Sequence, residues 1–134
     1  MLVIKGFKKL ILKAKSEGKL KCIKITTSHF ITHLLFVDDV LVFGNGLVDE
    51  WKVFNEIIIL LYEASGMKVS VQKSCFLSHI VEDKVLEEVL SFLPYKVEPI
   101  EVGLKYLGLF VKPNKYGRNI WLWLVKRVEK RIGI

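Results

Sequence analysis

Apolar positions recur at helical spacing from the first residues. Leu2, Val3, Phe7, Leu10, Ile11 and Ala14 form one stripe, with Lys5, Lys8, Lys9, Lys13 and Lys15 between them. Gly18 follows where a left-handed residue usually ends such a helix. The period then changes to two. Residues 21–26 alternate as a short strand, and residues 30–36 and 40–43 are bulky or β-branched runs split by Val37-Asp38-Asp39. Two short apolar runs around a tight polar break predict a β-hairpin, which Gly44-Asn45-Gly46 closes with a turn.

Asp49 and Glu50 supply first-turn acids for a second helix to about Ala64, with Trp51, Phe54, Ile57, Ile58 and Leu61 as its apolar stripe. Ile59 and Leu60 widen that stripe, which predicts packing against more than one neighbour. Residues 67–71 alternate like a strand that ends at Gln72-Lys73-Ser74. A third helix is expected over 82–93, stopped by Pro94, and a strand over 105–111 broken by Gly108. Residues 120–132 make a basic amphipathic helix with Ile120, Leu124, Val128 and Ile132 on one side. This order lacks the regular alternation of a doubly wound sheet. It predicts an α+β domain, an antiparallel sheet carrying a β-hairpin with helices packed on one face.

At 134 residues and 51% apolar content, the chain can bury a core, and disorder is a poor description. Its size is that of one domain or of a piece of a larger one. The longest stretch without a charged residue, Ile25 to Val37, has thirteen residues and two histidines, short of the roughly 20 that a membrane span needs. Three lysines within the first ten residues argue against a secretory signal. The expected location is intracellular, nucleus or cytoplasm being open.

The net charge of +7 is unevenly placed. Residues 1–24 carry +7, residues 112–134 carry +6, and the middle carries −6. Basic ends suit a polyanion such as nucleic acid or an anionic membrane surface; two helices with solvated lysine faces account for the same pattern. Cys22 and Cys75 form neither a disulfide framework nor a CxxC motif. Reach argues against zinc if His29 and His33 lie on one strand. Four strand residues between His29 and His33 span about 13 Å, too far for bonds of about 2 Å to a shared ion.

The residues with the most chemistry in them are Asp38 and Asp39. At 5 Å and an effective dielectric near 20, two such carboxylates repel by about 3 kcal/mol, and in open water by less than about 1 kcal/mol. An ordinary surface turn tolerates the pair, and aspartate is common in turns. A rigid apolar hairpin also suits a second use. Magnesium prefers hard oxygen ligands and is usually held by one or two carboxylates plus substrate phosphates. Two such ions can activate a hydroxyl and stabilise leaving pyrophosphate.

The run Ile31-Thr32-His33-Leu34-Leu35-Phe36-Val37-Asp38-Asp39-Val40-Leu41-Val42-Phe43 resembles the catalytic aspartate motif of reverse transcriptases, most of all those of plant-type non-LTR retrotransposons. Three further segments follow in that family's order. Ser65-Gly66-Met67-Lys68-Val69 through Lys73-Ser74 resembles the stretch after the palm helix, and Lys105-Tyr106-Leu107-Gly108 the motif near the primer end. Trp123-Leu124 with Val128-Glu129-Lys130-Arg131 resembles the start of the region beyond the palm.

The resemblance implies a partial palm over residues 1–111 and a basic helix leading toward the thumb over 112–134. It implies RNA template and DNA primer as partners, and a two-ion Mg2+ centre of which Asp38 and Asp39 supply part, Asp38 as the more direct ligand. Lys73 would stand near the departing pyrophosphate, as a general acid or as a plain surface lysine. Lys105, Tyr106 and Gly108 would lie along the primer backbone, glycine allowing close approach; an aromatic core residue and a β-bulge are the structural alternative. Ser70 stands where these sequences usually have asparagine, and Val37 where alanine is common. The family's third catalytic aspartate, its template-positioning glycine segment and its fingers all map upstream of Met1. The expectation is therefore a fragment of an RNA-directed DNA polymerase, inactive alone; the alternative is a non-catalytic basic nucleic-acid-binding protein. Whether another chain supplies the upstream strand and aspartate, and the oligomeric state, are open.

Overall fold

The computed structural model describes residues 2–113 and 117–133, apart from the side chain of Ile120. Ile120, which the sequence places on the apolar side of the last helix, therefore lies outside the described side chains. The chain is α+β and divides into two compact units, residues 1–74 with 81–95 and residues 75–80 with 96–134. No described helix is long and apolar enough to cross a membrane.

In the first unit, α1 (Leu2–Ser16) buries Phe7, Ile11 and Ala14 on the expected stripe, although Leu2 at its start is 86% exposed. Gly18 ends the helix at φ 72°, where its N–H donates to Lys15 O and that of Lys19 to Ala14 O, the paired bonds of a Schellman cap. α2 (Val48–Ser65) is stopped by Gly66 at φ 68°. Phe54 and Ile57 of α2 join Phe7, Ile11, Ala14 and Leu20 in the core, with Trp51, Val53 and Leu61 packed around them. α2 meets α1 on one side and α3 (Asp83–Phe92) on another, so it has the two neighbours expected. Ile59 and Leu60 are not what they cover, being about half exposed.

Two short ladders complete this unit. β1 (Ile23–Lys24) pairs antiparallel with β2 (Phe30–Ile31), and β3 (His33–Phe36) pairs antiparallel with β4 (Asp39–Val42). The expected run over 30–36 is interrupted at Thr32, which is buried. His29 sits in the loop, its Nδ1 2.9 Å from Thr26 Oγ1 and 3.0 Å from Ser28 Oγ, not on a strand. The strand expected over 67–71 is absent. Met67, Val69 and Val71 are exposed, the Val69 N–H donates to the Tyr62 hydroxyl at 3.0 Å, and Val71–Lys73 forms a 3-10 turn.

The second unit contains a parallel pair, β5 (Cys75–Ser78) with β6 (Lys96–Pro99), and an antiparallel hairpin of β7 (Leu104–Tyr106) with β8 (Leu109–Val111). α4 (Arg118–Ile132) follows. The described strands thus form four two-stranded ladders, three antiparallel and one parallel, rather than one antiparallel sheet.

Candidate functional site: an acidic hairpin tip

The β3–β4 hairpin is built from the core outward. Opposed residues of an antiparallel pair point to the same face, and faces alternate along each strand. The register sets His33 opposite Val42, Leu34 opposite Leu41, Leu35 opposite Val40 and Phe36 opposite Asp39. Leu35 and Val42 pack against the helical core, and the His33 ring meets Phe7 edge-on at 6.3 Å between centroids. One backbone bond, Phe43 N–H to Thr32 O at 2.9 Å, extends the pairing past the base of the ladder. On the opposite face Leu34 and Phe36 are 42% and 54% exposed. Val40 lies on the inward face yet is still 42% exposed, so the last rungs have already cleared the core.

Asp38 occupies the two-residue turn and Asp39 opens β4 on the outward face beside Phe36, and both are exposed. Both acids are thus accessible to solvent at the end of a ribbon whose base packs on the core. No described group of three or more His, Cys, Asp or Glu side chains is placed to hold a metal ion. As hard, exposed oxygen donors, Asp38 and Asp39 fit part of a Mg2+ shell, with ligand positions left for water or phosphate.

The turn is strained at Val37, whose φ is 52°. A β-branched residue there is a genuine outlier, costing about 1–3 kcal/mol. Val37→Gly should stabilise the chain by about 1 kcal/mol once the entropy of glycine is subtracted. A urea midpoint that rises in this variant supports that assignment, and one that falls contradicts it.

Burial, followed by Lys8 and Lys15, holds His33 below its ordinary pKa. The depressed folded value means that stability is intact above the unfolded pKa of about 6.5 and is lost as pH falls through the lower folded value. The base of the hairpin is thus acid-sensitive. Thermal melts of His33→Leu should lose the part of the acid-induced drop in Tm that begins below about pH 6.5.

Lys73 closes the 3-10 turn and is exposed; no described hydrogen bond or ion pair joins it to Asp38 or Asp39. Lys105, Tyr106 and Gly108 belong to the second unit, where Lys105 is exposed and opposes Phe110, and Tyr106 is half-buried and opposes Leu109. Gly108 is a hairpin-turn residue at φ 75°, so the β-bulge of the structural alternative is a two-residue turn.

Two residues the sequence does not single out for these tasks help hold these segments. Glu50 is 3% exposed and accepts the backbone N–H groups of Lys21 and of Asn45, the latter at 2.9 Å. Arg127 donates to the Gly108 carbonyl. Composition marks Glu50 only as a first-turn acid and Arg127 only as one base among several, because Lys21 lies 29 residues from Glu50 and Gly108 lies 19 from Arg127. No family model, no curated protein and no solved structure matches the chain.

Proposed function

We propose that the chain is part of the palm of an RNA-directed DNA polymerase of the non-LTR retrotransposon kind. The observation that carries this reading is the exposed Asp38–Asp39 pair at the tip of a hairpin whose other end is anchored in the core. Asp38 and Asp39 would hold Mg2+, Lys73 would meet the departing pyrophosphate, and Lys105, Tyr106 and Gly108 would follow the primer backbone. Bound Mg2+ supplies charge neutralisation and activation of the attacking hydroxyl. Phosphoryl transfer depends on positioning and charge, and two carboxylates are one fewer than this chemistry employs in the family. The chain by itself therefore binds a template–primer without extending it.

A second reading, a non-catalytic nucleic-acid binder, is favoured by one specific feature. The second unit has nine Lys and Arg residues against Glu98, Glu101 and Glu129, a net +6 of the total +7. The two readings separate on metal dependence. Binding of an RNA–DNA template–primer should weaken with salt under both. Under the polymerase reading, Mg2+ at matched ionic strength strengthens binding in the native chain and not in Asp38→Asn/Asp39→Asn. A Mg2+ response that is the same in both proteins contradicts the polymerase reading and leaves the basic unit as the site.

A further inference from the structure

We propose that Arg127 is a positioning residue that locks the Leu107–Gly108 turn to α4 and so fixes how Lys105 and Tyr106 are presented to a nucleic-acid strand. The inference rests on the reading of that turn as a nucleic-acid contact and adds a residue which the sequence resemblance does not assign.

The turn joins Tyr106 to its partner Leu109 with two central residues, Leu107 at φ 51° and Gly108 at φ 75°. Positive φ at both is the sign pattern of the type I′ hairpin turn, which twists with its strands and favours glycine at the second position. Leucine at the first is costly, so something must hold the turn in place. The hairpin base is fixed by Gly103, buried at φ 77°, where a Cβ would stand 2.7 Å from the Val111 carbonyl oxygen.

Arg127 fixes the tip. Its Nη1 donates to the Gly108 carbonyl, and its Cζ lies 5.3 Å from the centroid of the Trp123 ring, one helical turn earlier on α4. The ring orients a planar guanidinium in a way it cannot orient an ammonium. Gly108 is required twice. Besides its φ, a Cβ there would stand 2.9 Å from Arg127 Nη1 and 3.0 Å from Cζ. A side chain at 108 would thus displace the guanidinium, since the flexible arginine is the partner able to move. Arg127 is half-buried, whereas Lys126 and Lys130 beside it are exposed. Its charge is directed inward at one carbonyl, and theirs is left for an outside polyanion.

The test uses the full chain, an RNA–DNA template–primer as probe, and Arg127→Lys, Gly108→Ala and their double variant. Each single change should weaken binding by at least about threefold, and the double no further than either, because both open the same contact. Amide exchange at Gly108 and Leu109 should quicken in all three. If Arg127 instead touched phosphate, Arg127→Lys would bind like the native chain and Gly108→Ala would leave affinity unchanged; that result overturns the proposal. Unchanged amide exchange also overturns it. Quickened exchange in the variants, with a native chain that binds no template–primer, would retain the clamp and overturn its nucleic-acid role, together with the reading of the turn on which it rests.

Discussion

Replacing Glu50 with alanine is expected to destabilise the first unit by about 3 kcal/mol, from the loss of two hydrogen bonds to a buried acidic acceptor. One carboxylate oxygen takes the Lys21 N–H, just before β1, and the other takes the Asn45 N–H, just after β4. Everything between those residues is the two-ladder segment that ends in the acidic tip. Glu50 therefore ties both ends of that segment to the first turn of α2. Removing it leaves two backbone donors in a part-buried setting without their acceptor, and such orphaned groups are rare because they are costly. Glu50→Gln should lose nearly as much, since an amide nitrogen cannot accept the second N–H. Asp49, its neighbour, has a side chain 97% exposed, and Asp49→Ala should change stability by less than about 0.5 kcal/mol. Urea unfolding of the three variants measures the contrast. Equal effects from Asp49→Ala and Glu50→Ala would show that helix-terminal charge, and not the clamp, is what Glu50 contributes.

The helices were readable because each repeats its apolar residues over several turns. Phe7, Ile11 and Ala14 of α1, and Phe54 and Ile57 of α2, are buried as their spacing predicts. The β3–β4 hairpin was readable for a related reason, since Val37-Asp38-Asp39 is a short polar break between runs too apolar to be loops. The parallel pair was not. Lys96-Val97-Glu98-Pro99 has two charges and a proline, which give no strand pattern, and its partner Cys75–Ser78 lies on the far side of α3 in sequence. Residues 67–71 misled in the opposite direction. Alternation alone suggested a strand, but a strand needs a partner, and Val69 bonds to a tyrosine hydroxyl instead. The acid pair was legible as residues and as a turn. The strain at Val37 was not, because φ at a hairpin tip follows from the register of both strands. The tasks of Glu50 and Arg127 depend on backbone groups 29 and 19 residues away, and no local pattern encodes them.

The second large effect concerns the acid pair itself. Two neighbouring carboxylates exposed to water repel by less than about 1 kcal/mol. A divalent cation relieves that repulsion and gains hard oxygen ligands, so the pair should bind it better than any lone carboxylate on the surface. Because Asp38 and Asp39 are exposed, a cation could reach them without opening the core. Leu35 and Val42 anchor the base of the hairpin to the core. Asp38→Asn/Asp39→Asn removes both charges with little change of shape and should abolish binding there while leaving stability nearly unaltered.

The most direct measurement is an amide NMR spectrum of the full chain titrated with Mn2+, whose paramagnetism broadens nearby resonances. Broadening should begin at the amides of residues 37–40, be reversed by excess Mg2+, and vanish in Asp38→Asn/Asp39→Asn. Broadening that begins at other acidic residues, or that persists in the double variant, would contradict a metal-gripping hairpin and with it the polymerase reading.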